Sequence, residues 1–370
     1  MKIAVVTSLY SPYGRGGAEL VAELTVTGAR QLGHDVIVIT LGKKTDRPVE
    51  RRDGVIIYRL TPRNLFSFFD LSQKPRWQRL IWHVVDMFSG AAVKKIIDRE
   101  RPDVVITHNT KGLGYRLPRD IMVLHDVQYA VPSGLLPPTQ QHRRHGGLYP
   151  LTCRWLIGSP PVVVSPSRWL LDFYTRNGFF PHSEKRVTIN PIVIQQPIIP
   201  HYPLPITHYR LLFVGQLEPH KGIVWLIDVL EKWSSDFTLT IVGDGSLAES
   251  LCQRVANNDR FVILPARDAT RLMSESDCLI VPSLVAENAP LVITMAQTVG
   301  LPVIATAVGG VPEMVPADCL FPAGDTAALL KLLNNLDTKK TAASRPVMSP
   351  AEYVTALLTA GRQTPNSARR

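Results

Sequence analysis

Cysteine is scarce in this 370-residue chain. The four residues, Cys153, Cys252, Cys278 and Cys319, include no Cys-x-x-Cys pair. That spacing fits reduced thiols in a cytosolic protein better than disulfides or a zinc site. No run of about 18 apolar residues occurs, so no transmembrane helix is expected. The opening Met1–Thr7 run is too short for a signal peptide and predicts a first buried strand. Two histidines frame His142-Arg143-Arg144-His145. This is a loop with no further ligand nearby, and no metal is expected there. Charged residues make up only 19% against 45% apolar, which leaves material for the cores of two domains rather than one.

Negative charge is short in one half only. Residues 1–200 carry 27 Lys and Arg against 15 Asp and Glu, a net +12, while residues 201–370 carry 14 against 16, a net −2. A basic first half points to an anionic partner there: an acidic glycan, a phospholipid surface or nucleic acid. The plainer alternative is solubility.

What is present is a repeated β/α pattern. Strand-like Ile3–Thr7 leads through a Gly-rich turn to a helical stretch from Ala18 to Leu32, and Asp35–Thr40 reads as the next buried strand. Val55–Leu60, Val104–Thr107, Met122–Leu124 and Val162–Ser165 continue the series. The second half restarts it with Arg210–Gly215, a helix over Gly222–Trp233, and strands at Phe237–Val242, Phe261–Leu264, Cys278–Pro282 and Pro302–Ala305. This order predicts two Rossmann-like domains with parallel sheets. Ile192–Ile206 contains four prolines and reads as the linker. The expected boundaries are 1–195 and 207–348. A last helix over Pro350–Leu358, capped by Ser349, is expected to rejoin the first domain across about 350–361. The tail from Arg362 to Arg370 reads as disordered.

Ligands of such sheets bind at the carboxyl ends of strands, so the post-strand segments carry the functional signals. Tyr13–Glu19 holds Gly14, Gly16 and Gly17 before a helix, where amide groups can face a phosphate. Dinucleotide binding fails there, because Glu19 replaces the third glycine and the second strand ends in Thr40 rather than an acid. Lys221 precedes the helix that opens at Gly222 and would bring a compact positive charge to a strand end. Glu287 follows another strand and could accept from hydroxyls, with amides of Asn288, Ala289 and Leu291 holding a phosphate oxygen. The alternative is that Glu287 or Asn288 merely caps a helix. His125, after Met122–Leu124, could orient a reacting hydroxyl or be structural.

In sum these pieces resemble glycosyltransferase family 4, retaining enzymes of the GT-B fold. The resemblance is densest from Leu211 to Leu330. It rests on Phe213–Gly222, Ile241–Gly245 with Gly243, Leu279–Ser283, Glu287–Val292, Gly300–Ala305 and Gly309–Glu313. In the first half it rests on Gly16-Gly17, His125 and Val164–Ser167. The resemblance implies an α/β GT-B fold, two Rossmann-like domains with parallel sheets facing an interdomain cleft. It implies transfer of a hexosyl unit from a UDP- or GDP-linked sugar to a glycan or lipid-linked acceptor, in the synthesis of a cell-surface polysaccharide or glycolipid. Lys221, Gln216 and the Gly16-Gly17 amides would face the departing diphosphate. Glu287 would hold donor-sugar hydroxyls, Asn288 to Leu291 (Asn288, Ala289, Pro290, Leu291) would surround the phosphate, and His125 would contact the sugar. No Asp-x-Asp pair occurs, and neither cofactor nor metal is implied.

Two positions depart from the family pattern. Gln216 stands where an Arg is usual, which shifts more of the charge balance to Lys221. Met295 stands where a second Glu would hold the ribose, and a thioether accepts only weak hydrogen bonds. These departures keep open a noncatalytic nucleotide-sugar-binding relative, and another GT-B reaction such as nucleotide-sugar epimerisation is the further alternative. Acceptors dock on the basic first domain in this fold. There Arg63–Phe69, Lys74, Arg76, Trp77, Arg79 and Trp82 mix aromatic and basic side chains suited to an anionic membrane. The alternative for that stretch is an ordinary helix covering the sheet. A cytoplasmic protein, peripheral on the inner membrane face, with no nucleic-acid partner, is the expectation.

Overall fold

A computed structural model describes residues 1–14, 16–62, 64–193, 208–267, 269–336 and 346–362. The expected linker from 194 on and the tail from 363 on lie outside the described residues. The chain divides into two compact units, Met1–Gly134 with Arg144–Val193 and Met348–Arg370, and Leu135–Arg143 with Ile194–Val347. The short stretch Leu135–Arg143 therefore belongs to the second unit although it lies within the first half of the sequence.

In the first unit the strands are β1 (Lys2–Val6), β2 (Asp35–Leu41), β3 (Val49–Arg52), β4 (Val55–Leu60), β5 (Val104–Thr107), β6 (Ile121–Val123), β7 (Val162–Ser165) and β8 (Glu184–Val187). They pair in the order β3-β4-β2-β1-β5-β6-β7-β8. All pairs are parallel except the β3–β4 hairpin. Val5, Val38, Val105 and Val163 are buried, as strands covered on both faces require.

Helix Gly17–Gln31 packs against the C-terminal helix Pro350–Arg362 at a point where no side chain intervenes. A Cβ on Gly28 would stand 2.0 Å from the Pro350 carbonyl oxygen. Ser349 opens that last helix with a reciprocal cap. Its Oγ accepts from the Glu352 N–H at 3.3 Å, and the Glu352 carboxylate accepts from the Ser349 N–H at 2.8 Å.

In the second unit β9 (Tyr209–Val214), β10 (Phe237–Val242), β11 (Phe261–Leu264), β12 (Cys278–Val281), β13 (Val303–Thr306) and β14 (Leu320–Phe321) form a parallel sheet in the order β11-β10-β9-β12-β13-β14. Alternate residues feed its two faces. Leu211, Phe213, Cys278 and Ile280 join one buried cluster, and Leu212, Leu279 and Val281 join the other. Each fully buried Leu or Ile contributes about 1.5–3 kcal/mol of transfer free energy. This strand order is doubly wound. Its chain direction reverses between β9 and β12, and in such sheets that switch point is where ligands bind. The same reversal in the first unit falls between β1 and β5.

Candidate active site

At the switch point of the second unit, two loops leave adjacent strands and meet. From β9 the chain runs through Gly215–Glu218 into the short 3-10 turn Pro219–Lys221. From β12 it runs through Pro282 and Ser283 to Leu291, where helix Leu291–Thr298 begins. The Lys221 Nζ lies 2.6 Å from Glu287 Oε1. The Ser283 hydroxyl donates to the same oxygen at 2.8 Å. The Leu284 N–H donates to the His220 carbonyl at 2.9 Å and ties the two loops together. Burial, then the charge on Lys221, holds the His220 imidazole below its ordinary pKa.

Both charged groups keep capacity in reserve. Lys221 has three N–H donors and spends one on Glu287. Both contacts on Glu287 fall on Oε1, which leaves Oε2 without a hydrogen bond among the described residues. A carboxylate held by one oxygen and open at the other can accept from a ligand hydroxyl. An ammonium beside it can turn toward a phosphate.

The backbone of Glu287 is gripped from two sides. Its carbonyl accepts from the Gly310 N–H at 2.8 Å. Gly309, with φ near +60°, leaves no room for a side chain, since a Cβ there would sit 2.0 Å from the same carbonyl oxygen. The stretch Leu135–Arg143 adds two further bonds. The Gln141 side-chain oxygen accepts from the Gly309 N–H at 3.0 Å, and the Leu136 carbonyl accepts from the Ala286 N–H at 2.8 Å.

The remaining expected donor residues fall out as follows. Gln216 is exposed at the β9 end. Gly243 lies against backbone, because a Cβ there would stand 1.9 Å from the Gly215 carbonyl oxygen. Asn288 is buried, Ala289 and Pro290 are half-buried, and Leu291 opens the helix. The residue preceding that helix is Pro290, with no side-chain cap. The Glu287 carboxylate does not cap it, because it is spent on Lys221 and Ser283. Met295 packs beside the buried cluster of Leu279, Val281 and Ile293. It is a packing residue of the helix rather than a polar contact.

In the first unit Gly16 is extended and precedes helix Gly17–Gln31 without a side-chain cap. Its carbonyl accepts from the Leu20 N–H at 3.2 Å. The amide groups of the first turn thus stand at a helix N-terminus with its partial positive charge. His125 follows β6 but does not stand alone. Its Nε2 lies 2.9 Å from Nδ1 of His108, which follows β5, and the two rings stack. Burial lowers the His125 pKa to about 4 and holds His108 well below the ordinary value. At neutral pH the pair is uncharged, with one ring donating to the other, so His125 brings no cation to the site. The neighbouring Asp126 accepts from the Gln128 N–H at 2.8 Å and from the Asn109 amide at 3.3 Å, and burial raises its pKa.

Ser283 and Gln141 around Glu287 in the second unit, and His108 beside His125 in the first, were not singled out from the sequence as site residues. Ser283 stood four residues before Glu287 at a strand end, a usable signal. His108 also followed a strand. Gln141 carried no local signal, for its partner lies 168 residues away.

Comparisons with known proteins bear on the family and the fold. The model described as Glycosyl transferase 4-like domain matches residues 16–191, and that described as Glycosyl transferases group 1 matches residues 208–338. An uncharacterized 42.6 kDa protein in the cps region of Klebsiella pneumoniae is 23% identical over 335 residues, 85% of this chain and 87% of the relative. The amylovoran biosynthesis glycosyltransferase AmsK of Erwinia amylovora is 31% identical over 153 residues, 37% of this chain and 36% of the relative. Among solved structures, Anabaena HepE in complex with UDP-glucose aligns with TM-score 0.66 at 20% identity, over 98% of both chains; at that identity the likeness speaks for the fold. No helix among the described residues is long and apolar enough to cross a membrane. Matched in both halves by these family models, the chain belongs to the glycosyltransferase family 4-like proteins of GT-B fold and is a hexosyltransferase.

Proposed function

We propose that the enzyme transfers a hexosyl unit from a UDP- or GDP-linked sugar to a glycan or lipid-linked acceptor. The product belongs to a cell-surface polysaccharide or glycolipid, and the anomeric configuration is retained. The observation that carries this is the Lys221–Glu287–Ser283 cluster at the switch point of the second unit. Lys221 turns to the leaving diphosphate and balances the charge that develops on it as the sugar–oxygen bond breaks. Glu287 accepts from sugar hydroxyls through its open oxygen. Amides at the start of helix Leu291–Thr298 donate to a phosphate oxygen. Gln216 adds a hydrogen bond without a charge. In the first unit Gly16, Gly17 and His125 are the residues that the family resemblance assigns to the phosphates and the sugar.

The solved HepE complex contains UDP-glucose, and AmsK is named for amylovoran biosynthesis. These support a nucleotide-sugar donor and a polysaccharide setting. The acceptor is presented on the cytoplasmic side of an anionic membrane. Because Lys221 supplies the positive charge, turnover is expected to persist in EDTA.

A panel of UDP- and GDP-sugars incubated with an acceptor extract tests the proposal. Acceptor-dependent release of nucleoside diphosphate from one donor is expected, with loss of that release in Glu287→Gln. An isomerised donor would instead make the protein an epimerase, and binding without turnover would make it a sensor; either result overturns the transferase function.

A further inference from the structure

The aromatic stretch expected to meet a membrane turns largely inward. Trp82 is buried, donates its indole N–H to the Phe66 carbonyl at 2.9 Å, and packs against Phe66 and Phe68. Phe69 meets the Tyr13 ring. What faces outward is Trp77 of that stretch together with further apolar side chains on two helices of the first unit.

Helix Arg76–Met87 exposes Trp77, Ile81, Val84 and Val85, and Phe88 continues the row at its C-terminal end. The spacing places them on one face. Trp77 is 63% exposed. Helix Leu148–Ile157 exposes Leu148, Leu151 and Trp155, again on one face, with Leu148 at 82% and Trp155 at 68%. The inner face of this second helix is fully used, with Cys153, Leu156 and Ile157 buried. Its outer face therefore adds nothing to the core. Side chains this large and this bare are costly to leave in water unless something covers them.

The two helices adjoin one segment, Tyr115–Arg116. The Tyr115 N–H donates to the Met87 carbonyl at 3.2 Å, at the end of the first helix. The Tyr115 hydroxyl lies 3.4 Å from that of Tyr149 on the second helix. The exposed Arg116 places its guanidinium 5.9 Å from the centre of the Trp155 ring.

Charge decides what covers this surface. From residue 127 to 171 the chain holds no Asp or Glu but has Arg143, Arg144, Arg154 and Arg168. Within helix Arg76–Met87 the one acid is Asp86, which is buried and accepts from the Gly112 N–H at 2.9 Å. Arg144 is exposed just before the second helix. Two apolar helix faces that expose no Asp or Glu of their own and stand beside Arg116 and Arg144 repel a second copy and attract an anionic partner. Tryptophans beside arginines match the boundary between lipid headgroups and acyl chains.

We propose that the outer faces of helices Arg76–Met87 and Leu148–Ile157 form one docking surface for an anionic phospholipid bilayer. The aromatic side chains enter the headgroup boundary, and the arginines meet lipid phosphates. The surface deepens the function proposed above by giving the enzyme the partner on which a lipid-linked acceptor would be met. It rests on that function only for its purpose, since binding of the bilayer needs no donor.

Sedimentation with vesicles tests it. The full chain is expected to pellet with phosphatidylcholine vesicles containing about 30% phosphatidylglycerol and to stay in solution with phosphatidylcholine alone. Trp77→Ser combined with Trp155→Ser should lower the bound fraction about tenfold, while circular dichroism and stabilisation by UDP stay unchanged. Both residues are exposed, so the fold is not at risk. Equal sedimentation of the double variant, or no sedimentation of the wild type, overturns the proposal. A concentration-dependent dimer that the same substitutions abolish, without vesicle binding, overturns it in favour of a second copy. Because UDP stabilisation is read in the same samples, failure of the membrane surface is separable from failure of the donor site.

Discussion

At the scale of residues, the second unit's chemistry rests on one ion pair with spare valences. Removing Lys221 leaves Glu287 partly buried with only Ser283 beside it, and removes the cation meant for the diphosphate. Lys221→Ala should lower kcat by about a hundred- to a thousandfold in a donor-dependent transfer assay. Gln141 acts at one remove, by fixing Gly309 and through it the carbonyl of Glu287. Gln141→Ala should raise the donor KM about fivefold with little change in kcat, the cost of one hydrogen bond. Gln141→Glu keeps the acceptor oxygen and should restore most of it; equal loss in both variants would contradict a positioning role.

The histidine pair makes a pH prediction. Burial lowers the His125 pKa from 6.5 to about 4 in the folded chain. Between those values the unfolded chain binds a proton that the folded chain refuses, so stability is full above the upper value and falls as the pH drops toward the lower. His108 shifts in the same direction. His125→Asn should therefore lose less melting temperature than the wild type between about pH 7.5 and about pH 5. An unchanged loss would contradict it.

Elements were legible where burial on both faces left continuous apolar runs. Val104–Thr107, Val55–Leu60 and Phe237–Val242 match the strands to the residue. The strands that escaped notice are at the margins, and one of them, Leu320–Phe321, is only two residues long. Val49–Arg52 and Glu184–Val187 are short edge strands of mostly charged residues, whose outward faces carry no apolar signal. Helix Ile223–Leu230 stops short of the expected Trp233, because the Lys232 and Trp233 N–H groups bond back only three residues, in tighter turns. Loops at strand ends could be picked out as functional because Lys221 and Glu287 follow β9 and β12. That they touch could not, because contact across 66 residues is a property of strand order. One helix contact tests this packing directly. Gly28 sits inside a helix, where Ala would ordinarily stabilise by about 1 kcal/mol. Against the Pro350 carbonyl the sign reverses, and Gly28→Ala should destabilise by about 1–3 kcal/mol in thermal unfolding. A gain in melting temperature would show that the C-terminal helix does not pack there.

Across the whole molecule, charge and chemistry separate by sequence. The excess of +12 lies in the first 200 residues, where two helices leave apolar faces bare. The near-neutral remainder carries the switch-point cluster. Both sheets are doubly wound, and each brings its post-strand loops to its own switch point. The account's central claim is that the Lys221–Glu287 cluster binds a nucleoside diphosphate and its sugar. Titration calorimetry of UDP and GDP, each free and sugar-linked, into wild type and Lys221→Ala measures this most directly. Saturable binding of one nucleotide by the wild type is expected, with affinity at least tenfold weaker in the variant. No binding to the wild type, or equal binding to both, would contradict the account.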